Sequence, residues 1–275
     1  MVETIANQDV SRVLGRLNEW YDRMAQAGLS FDNLQTPIDD ISFRKRLVDF
    51  WLSGAFTESS DQVRAREMMG HRFYGIGDLI RYFQEGFGLN NSPLSENYQD
   101  WLAEIPFNEA QMIKHSRTHI IFPGYDKFNI RWLLINKLGL SRYELDRDWR
   151  GKEPYVNKVY LGNRWYMLRI KPLPHSEDKT YDEQLAILPE DEEVPPACVV
   201  ALGMAFYYLK FGHFPHTGYH LNCLEVNSSG ERVFVGVDDV YGRFSVENAY
   251  VRQWRTDPLQ DQRLGLATMV KLPTK

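Results

Sequence analysis

The sequence predicts an α+β fold, a helical N-terminal part followed by a mostly antiparallel sheet packed with two or three helices. Three observations carry this. Thr180-Tyr181-Asp182-Glu183 is a capping box, with a hydroxyl at the helix start and a carboxylate three residues on. Pro195 and Pro196 open a second, almost wholly apolar helix that ends at Gly212. Two β-rich runs, 220–226 and 232–237, then flank the turn Asn227-Ser228-Ser229-Gly230.

The elements follow in order. Over residues 1–105 the spacing is helical. Val10, Val13, Leu14, Leu17 and Met24 share one face between Asp9 and Gly28, and Phe43, Leu47, Phe50 and Trp51 repeat the pattern between Asp40 and Gly54. Short helices are expected at 61–69, 78–87 and 95–102, and none of this length is stable alone. Ile105-Pro106 marks the change to a second domain, 106–275. There, 118–122 reads as a strand stopped by Pro123-Gly124, 129–138 as a helix before Gly139, and 164–171 as a strand stopped by Pro172. The helix pair, the hairpin and a last strand within 243–251 complete the domain, with 255–263 as charged surface. The long helix, 196–211, is expected to be the most buried, and Gly203 within it to mark close contact with another backbone.

The 275 residues, 43% hydrophobic and 13% aromatic, supply enough apolar surface for a substantial core. Cys198 and Cys223 lack metal-motif spacing and read as buried thiols of a reducing compartment. No signal peptide is visible, and the longest apolar run is shorter than the roughly 18–20 residues that span a bilayer. A cytoplasmic protein without membrane partners is expected. The net charge of −5 is unevenly distributed. Residues 114–171 carry 13 Lys+Arg against 5 Asp+Glu, whereas 172–193 carry 1 against 8. Blocks of this kind steer partners or pair with each other across a fold, and pairing is the commoner outcome.

Residues 164–197 (RWYMLRIKPLPHSEDKTYDEQLAILPEDEEVPPA) and 220–239 (HLNCLEVNSSGERVFVGVDD) resemble a family of uncharacterised bacterial proteins, common in small-genome lineages and mobile-element surroundings. The likeness covers roughly 105–270. It implies the same order of strand, capped helices, long helix and hairpin, and it carries no activity, cofactor or site residue.

For function, the basic segment 114–171 interleaves cations with Phe122, Tyr125, Phe128, Trp132 and Trp165. Cations for phosphate with rings for base stacking are the composition of a single-strand or RNA reader. The leading expectation is therefore a non-enzymatic binding protein with nucleic acid as partner. Its contacts would be Arg117, Arg131, Arg147, Arg150, Lys152, Arg164, Arg169 and Lys171. No cofactor is expected. A protein-interaction role through the acidic helical half is the fallback.

The alternative is a metal-dependent hydrolase or nuclease centred on His213, His216 and His220, which lie within eight residues. His115, His119 or Asp238 would be brought in by the fold. His115 and His119 are four apart, a spacing that shares a helix face, but Ser116 stands where a zincin motif needs glutamate. Glu190-Asp191-Glu192-Glu193 suits a metal site too; its place before a helix start favours a dipole role, typically worth ~0.3–1 kcal/mol per group. Phosphate-loop, dinucleotide and serine-esterase motifs are absent.

Overall fold

A computed structural model describes residues 58–87, 102–126, 128–135, 153–216, 218–237, 244–248 and 263–272. All belong to one compact unit, Phe56–Lys275. The expected helices within 9–28, 40–54 and most of 95–102 lie outside the described residues.

The α+β assignment holds, with two four-stranded sheets in place of one. Helices α1 (Ser60–Met69) and α2 (Ile76–Phe87) match the expected segments closely. Ser59 caps α1 by accepting from the Gln62 amide at 3.2 Å. Two helices were not foreseen. Helix α3 (Glu109–His115) is seven residues long and starts on a reciprocal capping box between Asn108 and Gln111. Helix α5 (Pro154–Asn157) is a single turn with proline in first place, after α4 (Ile130–Ile135).

The first sheet has the order β1-β2-β8-β3, all antiparallel. Its strands are β1 (His119–Pro123), β2 (Trp165–Arg169), β3 (Glu192–Glu193) and β8 (Met269–Val270). The second has the order β6-β5-β4-β7, from β4 (Tyr219–Val226), β5 (Arg232–Val237), β6 (Phe244–Asn248) and β7 (Arg263–Leu266). Among the described strand pairs only β4–β7 is parallel. Strands β7 and β8 were missed because each is shorter than a periodicity window. The turn of the β4–β5 hairpin is closed by Asn227, whose side-chain oxygen accepts from the Ser229 and Glu231 amides, while Gly230 takes a φ of +80°.

Helix α6 (Tyr181–Ala186) carries the expected capping box of Thr180 and Glu183. Helix α7 (Ala197–Phe211) lies between the sheets, packing on β2 of one and on β4 and β5 of the other. Residues 197–206 are buried without interruption, as an all-apolar helix requires. Its proline cap offers no hydroxyl, so Glu225 from β4 supplies the acceptor, 2.8 Å from the Ala197 amide. The acidic run is therefore not the cap of α7, whose first turn holds no acid. Gly203 meets side chains where a backbone was expected: a Cβ there would strike Leu168 and press on Phe122. No helix among the described residues is long and apolar enough to cross a membrane.

Candidate metal centre

His115 is the last residue of α3 and His119 the first of β1. The turn between them is tight, with the Thr118 amide donating to the His115 carbonyl at 3.0 Å. It folds the two rings edge to face, centroids 4.4 Å apart. The pair thus uses neither the helical nor the strand spacing considered for it.

Glu192 reaches the same place from β3, across β8. Its pairing with Val270 fixes its position, and the Lys271 amide holds Asp191 by its carbonyl at 2.9 Å. The side chain of His119 is 0% exposed and that of Glu192 1%; His119 Nε2 lies 3.6 Å from Glu192 Oε1. His115 Nε2 lies 3.4 Å from Asp191 Oδ2, with side chains 4% and 37% exposed. His115, His119 and Glu192 are the only His/Cys/Asp/Glu trio among the described residues whose ligand atoms all lie within 4.8 Å of one another. Two imidazole nitrogens and carboxylate oxygens are a donor set for first-row divalent ions.

The hydrogen bonding leaves one vacancy. Thr118 Oγ1 sits 2.8 Å from His119 Nδ1, which occupies that nitrogen in either tautomer. Nε2 is buried and has no hydrogen-bond partner. At 3.6 Å it is too far from Glu192 for a hydrogen bond. The gap resembles that between two ligands of one tetrahedral ion, about 3.3–3.4 Å for bonds of 2.0–2.1 Å.

Electrostatics agree with a neutral imidazole facing a carboxylate. Burial pushes His119 down to about 4, against the pull of Glu192. Burial also lowers His115, opposed by its bond to Asp191. In Glu192 burial favours the neutral acid, but His119, Arg169 and Thr268 together hold the carboxyl far below the usual range. Arg169 grips it with two prongs, Nη2 to Oε1 at 2.6 Å and Nε to Oε2 at 3.3 Å, and also donates from Nε to Thr268. Lys114 pairs with Asp191 at 2.5 Å and lowers its pKa. The basic and acidic blocks therefore pair with each other here.

The other expected site residues are scattered. His213 is exposed beside Tyr207 and Phe211. His216 is buried with no hydrogen bond to either ring nitrogen, and His220 of β4 packs edge-on against Phe234 of β5. These three form no ligand group. The cause is geometric: His220 faces the interior of the second sheet, whereas His213 sits just beyond the end of α7. Asp238, Arg147, Arg150 and Lys152 lie outside the described residues.

Of the remaining cations, Arg169 is committed to Glu192, Arg131 donates to Asn157, and Arg164 stacks over Tyr166 at 4.8 Å. Arg117 and Lys171 are exposed at the end of the β1–β2 ladder opposite Arg164. The five-residue strands separate those ends by roughly 17 Å. Sequence reasoning missed the convergence of His115 and His119 with Glu192, although each segment had drawn notice for metal binding. No protein-family profile, curated protein or solved structure matches this chain.

Proposed function

We propose that this protein is a metal-dependent hydrolase whose ion is held by His115, His119 and Glu192, with Asp191 at the mouth. The observation that carries this reading is the fully buried, unpartnered His119 Nε2 directed at the Glu192 carboxylate. A polar atom left in this state costs about 1–3 kcal/mol, which an ion shared with Glu192 would recover. Two histidines and one glutamate form the ligand pattern of open zinc hydrolases, whereas closed structural sites are rich in thiolate. Here Cys198 and Cys223 are buried elsewhere, with thiol pKa values raised by burial. The part-exposed Asp191 side chain gives the centre one side toward water. When bound, the ion would activate water and polarise the scissile bond.

The chain's own residues do the positioning. Thr118 orients the His119 ring, and Arg169 with Thr268 fixes the Glu192 carboxylate. Non-enzymatic nucleic-acid binding is less well supported, because Arg169 is engaged and Arg164 is remote from Arg117 and Lys171.

The test is elemental analysis of protein purified without a histidine tag, beside hydrolysis of phosphate and carboxylic esters. Near-stoichiometric zinc, manganese or iron, lost in His119→Ala, supports the reading, as does activity removed by a chelator and restored by the ion. A metal-free protein that takes up no ion on dialysis overturns it, and so does a His119→Ala variant that keeps the full metal content.

A further inference from the structure

A short 3₁₀ turn, Gly70–Arg72, follows α1, and the chain then runs extended into Phe73. The Tyr74 amide donates to the Ile121 carbonyl at 2.9 Å, which ties this segment to the edge of β1. Tyr74 is fully buried and stacks on Phe206 of α7, ring centroids 5.6 Å apart. Lys210, one turn further along α7, holds its ammonium 4.5 Å from the Tyr74 ring centre and donates to the Phe73 carbonyl at 3.3 Å. Residues 72–74 and the last turn of α7 thus meet in one partly buried place.

Two polar groups there lack a counterpart. The Tyr74 hydroxyl and Arg72 Nη1 are both closed off from water, and neither has a hydrogen-bond partner. They lie close enough for the Arg72 cation to favour the phenolate, but burial, with Tyr82, Tyr207 and Asp78, outweighs it and keeps the phenol protonated. Both groups are therefore donors, and what is missing is an acceptor.

The charges show the same deficit. Asp78 accepts from Arg66 and the Gly75 amide through Oδ2 and from Arg81 through Oδ1, and Glu58 pairs with Arg66. Arg72 and Lys210 are left without a carboxylate among the described residues, although both are part-buried. Burial, opposed by Asp78 and aided by Arg66 and Arg81, lowers the Lys210 pKa, as expected of an ammonium short of negative charge. Buried cations are ordinarily paired. A phosphoryl group carries about −1.5 to −2 charges and three acceptor oxygens, which matches two unpaired cations and a hydroxyl donor. A carboxylate brings one charge, and Arg72 alone would occupy it.

We propose that Tyr74, Arg72 and Lys210 form a binding site for a phosphoryl group, sharing no residue with the His115–His119–Glu192 centre and independent of its metal. The Tyr74 hydroxyl and Arg72 donate to phosphate oxygens, and Lys210 supplies the second positive charge. The site binds its ligand and makes or breaks no bond.

The test is calorimetric titration of the full chain with inorganic phosphate and with phenyl phosphate, after a neutral chelator has stripped any metal from His119 and Glu192. The wild type should bind saturably. Tyr74→Phe keeps the ring on Phe206 and removes only the hydroxyl; it should bind phosphate about tenfold more weakly, the scale for a hydrogen bond to a charged group. Arg72→Gln should weaken binding at least as much, and Arg72→Lys should recover part of the loss. Without phosphate, Tyr74→Phe should melt at or above the wild-type Tm, because the lost hydroxyl had no partner. A hydroxyl with a structural role would give the opposite result.

Absence of binding at millimolar phosphate overturns the site, and so does a Tyr74→Phe variant that binds as tightly as the wild type. Acetate bound as tightly as phosphate overturns the phosphoryl assignment. Phenyl phosphate bound more tightly than the free ion supports a site for esters, and the reverse order supports a site for the ion itself. Each result stands whether or not the histidine–glutamate centre holds a metal.

Discussion

His119 and Arg169 face each other across β1 and β2, and both turn to the same carboxylate, Glu192 on the far edge of the sheet. One is neutral and unsatisfied, the other charged and doubly bonded. This division makes the site testable without knowing a substrate, because the two contacts have different energetic signatures.

Glu192→Leu should destabilise the fold by about 3–5 kcal/mol, since it strands the Arg169 guanidinium in a largely buried position. Adding Arg169→Leu should recover much of that loss, because the uncompensated charge goes too. Urea midpoints of the two single variants and the double variant test the coupling; strictly additive losses would contradict it.

Thr118→Val keeps every proposed ligand but removes the hydroxyl that orients His119. Metal affinity should fall by about 10–100-fold, the scale for losing a partner of a ligating histidine. Thr118→Ser should stay near wild type. Competition against a chromophoric chelator measures both, and equal affinity for valine and threonine would exclude the positioning role.

Burial pushes His216 and His119 each down to about 4. Below the ordinary histidine pKa of about 6.5 the unfolded chain takes up protons that the folded chain refuses, so stability is lost as pH falls from there to about 4. Each imidazole contributes up to roughly 3 kcal/mol over that window. Glu192 acts further down: its folded pKa is depressed, so its contribution fades as pH drops below the usual carboxylate range. His216→Phe, which gives up no hydrogen bond, should be at least as stable at pH 7 and lose less between pH 6.5 and 4. Parallel pH profiles for variant and wild type would refute this.

Gly203→Ala gains roughly 1 kcal/mol of helix propensity and still should destabilise, by about 1–3 kcal/mol, because the methyl overlaps Leu168 and crowds Phe122. A Tm at or above wild type would mean that β2 can yield at this point.

Removing the borrowed cap by Glu225→Leu should cost about 1 kcal/mol and act on the start of α7. Hydrogen exchange at the first turn should accelerate first; uniform change across the helix would argue against a capping role.

The elements legible in the sequence are those with a complete local signal. Thr180 and Glu183 are three apart and bond each other, and α7 advertises itself by an unbroken apolar run. The hairpin turn is announced by Asn227 and Gly230. The candidate site has no such signature. His119 and Glu192 are brought together by the pairing of β3 with β8, two-residue strands that no periodicity can reveal. The acidic run looked like a helix preface because a proline helix start follows it, and nothing local tells that β8 will claim it as a strand. Likewise, three histidines close in sequence diverge once His220 enters a strand and His213 does not.

Strand β8 lies between β2 and β3, inside the first sheet, although it is made after every strand it joins. Leu266 of β7 and Met269 of β8 are separated by only two residues, so one short stretch closes both sheets. During synthesis, β2 and β3 must wait with a gap between them, and Glu192 has no neighbouring strand until the gap fills. The centre therefore assembles last. A nascent chain that stops before this stretch carries all three proposed ligands and no site.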